Sequence, residues 1–255
     1  MSAVSEAVIL LAGQGSRLRD SDNNFLKPFV PVLGRPLISY TLNLLAYAGI
    51  ERLHVVIGYE SERMMTQLDQ LIGSRIRTSY IENPDWRKQN GISALAAAGN
   101  VHGPFLLTMG DHLFENAIVD CLLDSFDPQL LNIAVDRKLE HVFDLPDAMK
   151  VQTRRNKVTA ISKDLRRYDA IDAGLFICPV GFFDYLEQSK RNGDCSLADG
   201  VRLMARDGKV RAIDIGASWW QDIDTMDMLW HAEEKMGAAV TQKNRAELAI
   251  YRTGS

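Results

Sequence analysis

Cysteine is scarce in this chain: Cys121, Cys178 and Cys195 are the only three among 255 residues. An odd, widely spaced set offers neither a disulfide framework nor zinc-ligand spacing, and it suits a reducing compartment, the cytoplasm. Long apolar runs are missing too. No stretch approaches the roughly eighteen apolar residues that a span needs, and no basic segment followed by an apolar run opens the chain, which predicts neither a membrane span nor a secretory leader. Positive charge is not in excess. Lys and Arg number 29 against 33 Asp and Glu, a net charge of −4, so no broad nucleic-acid surface is expected and any anion must be met by a local cluster. Repeats and low-complexity segments are absent as well. What is present is ordinary globular material, 46% hydrophobic, enough for one large core or two small ones.

The order of elements narrows the fold. "AVILLAG" (7–13) is a short continuous apolar run, suited to a strand covered on both faces. "PLISYTLNLLAYAG" (36–49) has helical spacing, opens on Pro36 and closes on Gly49. "RLHVVIGY" (52–59) reads as a strand, "SERMMTQLDQLIG" (61–73) as a helix capped by Ser61, "RIRTSYIEN" (75–83) as a strand, "ISALAAAGN" (92–100) as a helix and "PFLLTMGD" (104–111) as a strand. This alternation predicts an α/β fold with a doubly wound, mostly parallel mixed sheet. After residue 125 come short strand candidates, "QLLNIAV", "DAMKVQT", "KVTAIS" and "DAGLFICP", then a helix at 196–207, a strand at 209–215 and a helix near 225–236. No linker interrupts them, so residues 1–255 are expected to form a single domain.

Residues 11 to 17 read Leu11-Ala12-Gly13-Gln14-Gly15-Ser16-Arg17. Glycines directly after a strand let backbone N–H groups approach a phosphate without a Cβ in the way, and a nest of such groups binds anions. No Gly-Lys-Ser/Thr follows, so this is not a Walker A loop, and the third glycine of a dinucleotide fingerprint is missing. Alone, the pair serves equally well as a tight turn. Lys27-Pro28 and Gly34-Arg35-Pro36 extend the pattern.

The stretch from 7 to 38 strongly resembles the signature of sugar-phosphate and alcohol-phosphate nucleotidylyltransferases: Leu-Ala-Gly-x-Gly-x-Arg-Leu, a spacer, Lys-Pro, then Gly-x-Pro-Leu. "TMGDHLF" (108–114) resembles the family's strand-end aspartate, "ISKDLRRYDAIDAGLFIC" (161–178) its acceptor segment, and "WWQDIDTMDML" (219–229) its late aspartate segment. "NPDWRKQNGISAL" (83–95) resembles the base-side segment of cytidylyltransferases acting on phospho-alcohols. Taken together the pattern comes nearest to inositol-1-phosphate cytidylyltransferases.

The resemblance implies a Rossmann-like nucleotidyltransferase fold, with a nucleotide-binding half to about residue 125 and an acceptor-binding half from about 126 to 240. It implies that Leu11, Ala12, Gly13, Gln14, Gly15 and Ser16, with Gln89, Asn90, Gly91, Ser93 and Asp111, bind CTP. Arg17, Lys27 and Lys163 would act on the phosphates. Lys163 and Asp172 would hold the acceptor, a phosphorylated polyol or alcohol. Asp111 would share Mg2+ with Asp224 or Asp222, whose two-residue spacing points both the same way on an extended chain. Self-association into a homodimer is left open.

The implied chemistry is consistent with what is missing. An acceptor phosphate is mostly a dianion at neutral pH and attacks the α-phosphorus without a general base, so no catalytic histidine is required. Positioning and charge neutralisation are what the reaction needs. Plainer roles stand beside these: Ser93 as a helix cap, Asp222 or Asp224 as the cap of the last helix, Lys163 as one cation in a basic segment. His54 reads as a packed core histidine, His112 as a structural residue before an orienting partner of Asp111, and Trp219 and Trp220 as packing. Hexose-1-phosphate, phosphocholine or phosphonate nucleotidyl transfer is the runner-up, and a glycosyltransferase using Asp222-Ile223-Asp224 or a nucleotide-sensing module are the other classes.

Overall fold

The structure, a computed structural model, describes residues 4–18, 26–73 and 76–238. Its elements are β1 (Glu6–Leu11), β2 (Pro31–Val32), β3 (Arg35–Pro36), α1 (Leu37–Tyr47), β4 (Arg52–Ile57), α2 (Ser61–Ile72), β5 (Arg77–Glu82), α3 (Asn90–Ala96), β6 (Phe105–Met109), β7 (His112–Phe114) and α4 (Asn116–Ser125). They continue with β8 (Leu131–Asp136), β9 (Lys150–Arg154), β10 (Lys157–Ser162), β11 (Ala170–Cys178), α5 (Phe182–Ser189), α6 (Leu197–Arg206), β12 (Val210–Asp214), β13 (Trp220–Asp222) and a last helix, α7, over 226–238.

One sheet runs through both halves of the chain in the order β5-β4-β1-β6-β11-β8-β12-β10-β9. The first four strands are parallel throughout. Beyond them β11 runs antiparallel to both β6 and β8, β12 is parallel to β8, and β10 pairs antiparallel with β12 and β9. The parallel character therefore belongs to the amino-terminal half, where helical crossovers reverse the chain. In the acceptor half a short turn at Arg155-Asn156 joins β9 to β10, α5 and α6 lie between β11 and β12, and the start of β9 also pairs with the start of β11.

Side chains of a strand alternate between faces, and β1 shows the result. Val8 and Leu10 join a core with residues of α3, α5 and α6, whereas Ala7, Ile9 and Leu11 join the opposite core with residues of α1, α2 and α4. Both faces are covered, which explains why this strand reads as an unbroken apolar run. A third, smaller core gathers Leu18, Val30, Val32, Leu37, Leu113, Ile223, Met228 and Leu229, and so fastens α7 and the β2–β3 hairpin over the strand ends.

Local signals mark most boundaries. Pro36 stands at the cap position of α1 and Gly49 follows it at φ +75°. Ser61 is not the cap of α2, as its type suggested. The cap is Glu60, in the left-handed region at φ 51°, next to Tyr59, whose N–H is held by the Ala12 carbonyl. Ser61 instead donates to Glu82. The sequence reading passed over α4 and α5. His54 is buried on β4, paired with Ser79 and Glu6, as expected.

Gly91 shows how α3 is docked. A methyl group there would lie 2.6 Å from the Cys195 carbonyl oxygen and 2.8 Å from the Ser196 carbonyl carbon. The Leu197 N–H donates to the Asn90 side chain and the Gln89 N–H to the Asp194 carboxylate, which pins the two segments together. Helix propensity favours alanine over glycine by about 1 kcal/mol. Overpacking against backbone costs on the order of 1–3 kcal/mol. Gly91→Ala is therefore expected to be destabilising on balance, and urea unfolding checks it; a raised midpoint would show that the 195–196 segment yields freely.

Candidate active site

The glycine turn and Lys27 are built around each other. Gly15 sits at φ +65°, and a methyl group on it would lie 2.6 Å from Lys27 Cβ. Glycine therefore lets the lysine stem pass against the turn. Lys27 opens a 3-10 turn over Lys27–Phe29, and its side chain is only 9% exposed. Its ammonium donates to Asp111 Oδ2 and to Asp224 Oδ1, each at 2.6 Å. Three residues far apart in sequence thus share one charge centre just past the ends of β6 and β13.

Arg17, more exposed, reaches Asp224 Oδ2 at 2.7 Å with one amino group and Asp147 Oδ2 at 3.3 Å with the other. The second oxygen of Asp147 accepts from Lys163 at 2.6 Å. A line of alternating charges therefore runs Asp111, Lys27, Asp224, Arg17, Asp147, Lys163. Asp147 belongs to the segment between β8 and β9 and has no motif around it, so nothing in the sequence singled it out.

The protonation states follow from these contacts. Burial alone would raise the Asp111 carboxyl, but the Lys27 ammonium and the His112 hydrogen bond hold it well below the usual carboxylate range. Burial likewise works against the charge on Lys27, and the two carboxylates outweigh it, so its pKa is raised. His112 is the partner of Asp111 that its position suggested: Nδ1 lies 2.7 Å from Asp111 Oδ1. Its ring is also raised, because Asp111 and then Asp222 outweigh burial. Asp222 goes the other way. Burial, then the neighbouring charges of Asp224 and Asp111, push its carboxyl up despite His112.

The late aspartates are therefore separated in their contacts. Asp224 faces Lys27 and Arg17, whereas Asp222 lies opposite His112 in the β7–β13 pair and accepts from Gln221. Neither is bonded as the cap of α7. The Thr225 hydroxyl accepts from the Met228 N–H and fills that place.

A cavity of about 800 Å³ opens over this centre. Arg17, Asp111 and Asp224 line it along with Lys163, Asp172 and Asp222. Gln89 and Asn90 reach it from the start of α3, but Ser93 does not. Ser93 is buried inside the helix, where its hydroxyl accepts from Asn83, so it is neither a helix cap nor open to the cavity. Leu11 and Ala12 are buried, Gly13 is exposed and Gln14 half-buried beside the turn. The Ser16 side chain lies outside the described residues. Trp220 does more than pack: it lines the cavity, stacks on His112 and donates from Nε1 to Asp136.

Asp172, on β11, is 3 Å or less from one donor, the Gly174 N–H at 2.8 Å. Burial raises its carboxyl to about 7, with that N–H and the His112 charge offsetting only part of the effect. Gly174 itself is at φ +81°, and a methyl group there would meet His112 Nε2 at 2.4 Å. The histidine ring thus fills the space a side chain would have taken.

The donor set near Lys27 suits a hard divalent cation. One oxygen of Asp111 and one of Asp224 face the same point, where the Lys27 ammonium lies 2.6 Å from each. Magnesium commonly takes one or two carboxylates and completes its shell with phosphate and water.

With strand-end carboxylates lining one cavity, and a buried lysine and a glycine turn packed beside them, the arrangement is that of a nucleotide-handling α/β enzyme. Residues 7–172 match the MobA-like NTP transferase domain, and the chain belongs to that family. Among curated relatives, the bifunctional IPC transferase and DIPP synthase of Rubrobacter xylanophilus is 32% identical over 230 residues, covering 89% of this chain and 51% of that protein. The protein of the same name from Thermococcus kodakarensis is 31% identical over 232 residues, 90% of this chain and 50% of its own length. The chain spans about half the length of the curated relatives it matches. The solved inositol-1-phosphate CTP transferase from T. maritima superposes with a TM-score of 0.80 at 24% identity, covering 91% of this chain and 96% of that one. At that identity the likeness shows the fold, an α/β nucleotidyltransferase fold. Among the described residues, no helix is long and apolar enough to cross a membrane.

Asp172 yields a pH test. A carboxyl raised in the folded state makes the protein most stable below its ordinary value of 3.8, and that stability is lost as pH rises towards about 7. Asp172→Asn keeps an acceptor for Gly174 and removes the charge. It is expected to leave the melting temperature unchanged at pH 4 and to raise it at pH 8, the gain in stability being at most ~4 kcal/mol for a carboxyl raised from 3.8 to about 7. Equal melting curves at both pH values would show that the carboxylate is well solvated.

Proposed function

We propose that the chain transfers CMP from CTP to a phosphorylated polyol, inositol-1-phosphate, giving CDP-inositol and pyrophosphate. The observation that carries this reading is the joining of Lys27 to Asp111 and Asp224 on the floor of a cavity that also presents Lys163 and Asp172. The relatives' names, IPC transferase and inositol-1-phosphate CTP transferase, support the choice of CTP and acceptor. Three free cysteines support a reducing compartment, the cytoplasm, for this reaction.

An acceptor phosphate oxygen forms a bond to the α-phosphorus as the bond to the bridging oxygen of the β-phosphate breaks, and pyrophosphate leaves with that electron pair. Asp111 and Asp224 would hold Mg2+, which neutralises charge on the phosphates. Lys27 sits beside both carboxylates, placed to turn to the α-phosphate where charge develops. Arg17 lies on the triphosphate side and Lys163 on the acceptor side. Asp172 suits a polyol because a carboxylate accepts hydrogen bonds from neighbouring hydroxyls. The glycosyltransferase alternative asked Asp222 and Asp224 to act as a pair, and their different partners argue against it.

Two measurements test the reading. With CTP supplied, pyrophosphate release should be faster in kcat/KM with inositol-1-phosphate than with phosphocholine or glucose-1-phosphate; a better rate with either of the others moves the chain to the runner-up reading. Lys27→Ala should lower kcat by ~100-fold or more, the loss of one preorganised contact to developing charge being on the order of 3 kcal/mol. Asp224→Ala should abolish turnover and Asp222→Ala should leave a measurable rate, with the reverse order reassigning the metal to Asp222.

A further inference from the structure

Lys150 is a buried lysine with no carboxylate partner among the contacts that define it. Its ammonium donates to three backbone carbonyls: Lys163 at 2.7 Å, Pro146 at 3.0 Å and Ala148 at 3.4 Å. Burying an ammonium is costly unless its donors are satisfied, and three donors meeting three carbonyls is full satisfaction. The lysine lies behind the cavity wall, while the residues it ties together, Ala148 and Lys163, line the cavity.

The strand register explains what is being held. Lys150 pairs with Ser162 of β10 on one side and with Ile171 of β11 on the other. Lys163 and Asp172 are each the next residue along. The Asp172 N–H donates to the Met149 carbonyl, immediately before Lys150. The paired strand ends alone leave Lys163 beyond the last rung of β10, where the ladder no longer fixes it. The bond from Lys150 to the Lys163 carbonyl supplies that missing tie, and the bonds to Pro146 and Ala148 hold the backbone on either side of Asp147, the carboxylate that meets the Lys163 side chain.

We propose that Lys150 is a positioning residue that fixes the distance between Lys163 and Asp172, and through it the recognition of a phosphate and a hydroxyl group on one acceptor. This rests on the acceptor site set out above. Lys150 touches no substrate; it acts through the backbone of residues that would.

The test uses Lys150→Met and Lys150→Arg in the full chain, with circular dichroism and melting to establish folding. Lys150→Met is expected to raise the KM for inositol-1-phosphate at least tenfold and to leave the KM for CTP within about twofold, and Lys150→Arg to recover part of the loss by restoring a cationic donor. Calorimetry with inorganic phosphate reads the same seat without turnover: affinity should fall in Lys150→Met and in Lys163→Met. If Lys150→Met folds and leaves both acceptor KM and phosphate affinity unchanged, the inference is wrong. It is equally wrong if CTP and acceptor KM rise together without rescue by arginine, since that is general loosening. If the unaltered protein ignores inositol-1-phosphate yet binds phosphate in a Lys150-dependent way, the inositol reading fails and the positioning role stands.

Discussion

The site depends on one ammonium group held between two carboxylates that the fold brings from distant parts of the chain. Asp111 follows β6 and Asp224 follows β13, so neither can meet Lys27 until the parallel half of the sheet and the small β7–β13 pair are both formed. Removing one carboxylate from a buried, charged cluster leaves its partner uncompensated, and that cost exceeds the value of the original contact. The folded centre is therefore sensitive to each of its members. Gly15 and Gly174 belong to the same constraint, because each leaves room for the side chain, Lys27 or His112, that the cluster needs close by.

The charges differ in how firmly they are held. Lys27 is nearly enclosed, whereas the side chains of Arg17, Asp147 and Lys163 are 46–60% exposed. Exposed pairs contribute roughly 1 kcal/mol or less each and exchange partners readily. Arg17, Asp147 and Lys163 can therefore exchange partners at little cost, while Lys27, nearly enclosed between two carboxylates, is held firmly.

Strand β1, with side chains packed into cores on both faces, was legible because double coverage leaves a continuous apolar word in the sequence. The glycine turn, Lys27 and Asp111 were legible because short motifs surround them. Asp224 against Asp222 was not, since two residues of an extended segment share a direction on paper and only the β7–β13 register parts them. Ser93 was misjudged for a related reason. Its type suits a cap or a base contact, but Ile92 and Ala94 pull that face of α3 into the core and Asn83 takes the hydroxyl. Asp147 and Lys150 carried no motif at all, because their contacts to Arg17 and Lys163 reach 13 to 130 residues along the chain.

The change from parallel to antiparallel pairing has a chemical consequence. Parallel strands place all their carboxyl ends on one edge, which suits a single extended ligand such as a triphosphate lying across loop after loop. An antiparallel group alternates strand ends and starts along an edge, so neighbouring strands offer one residue leaving the sheet and one entering it. Lys163 leaves at the end of β10 and Asp172 enters near the start of β11, with the start of β9 between them. A cation and a carboxylate are thereby set side by side without a long loop, and the spacing is fixed by backbone hydrogen bonds rather than by side-chain packing. In the proposed reading the two halves of the sheet would thus serve different tasks: the first would expose turns to a flexible polyphosphate, and the second would hold an ammonium and a carboxyl group side by side for a compact acceptor.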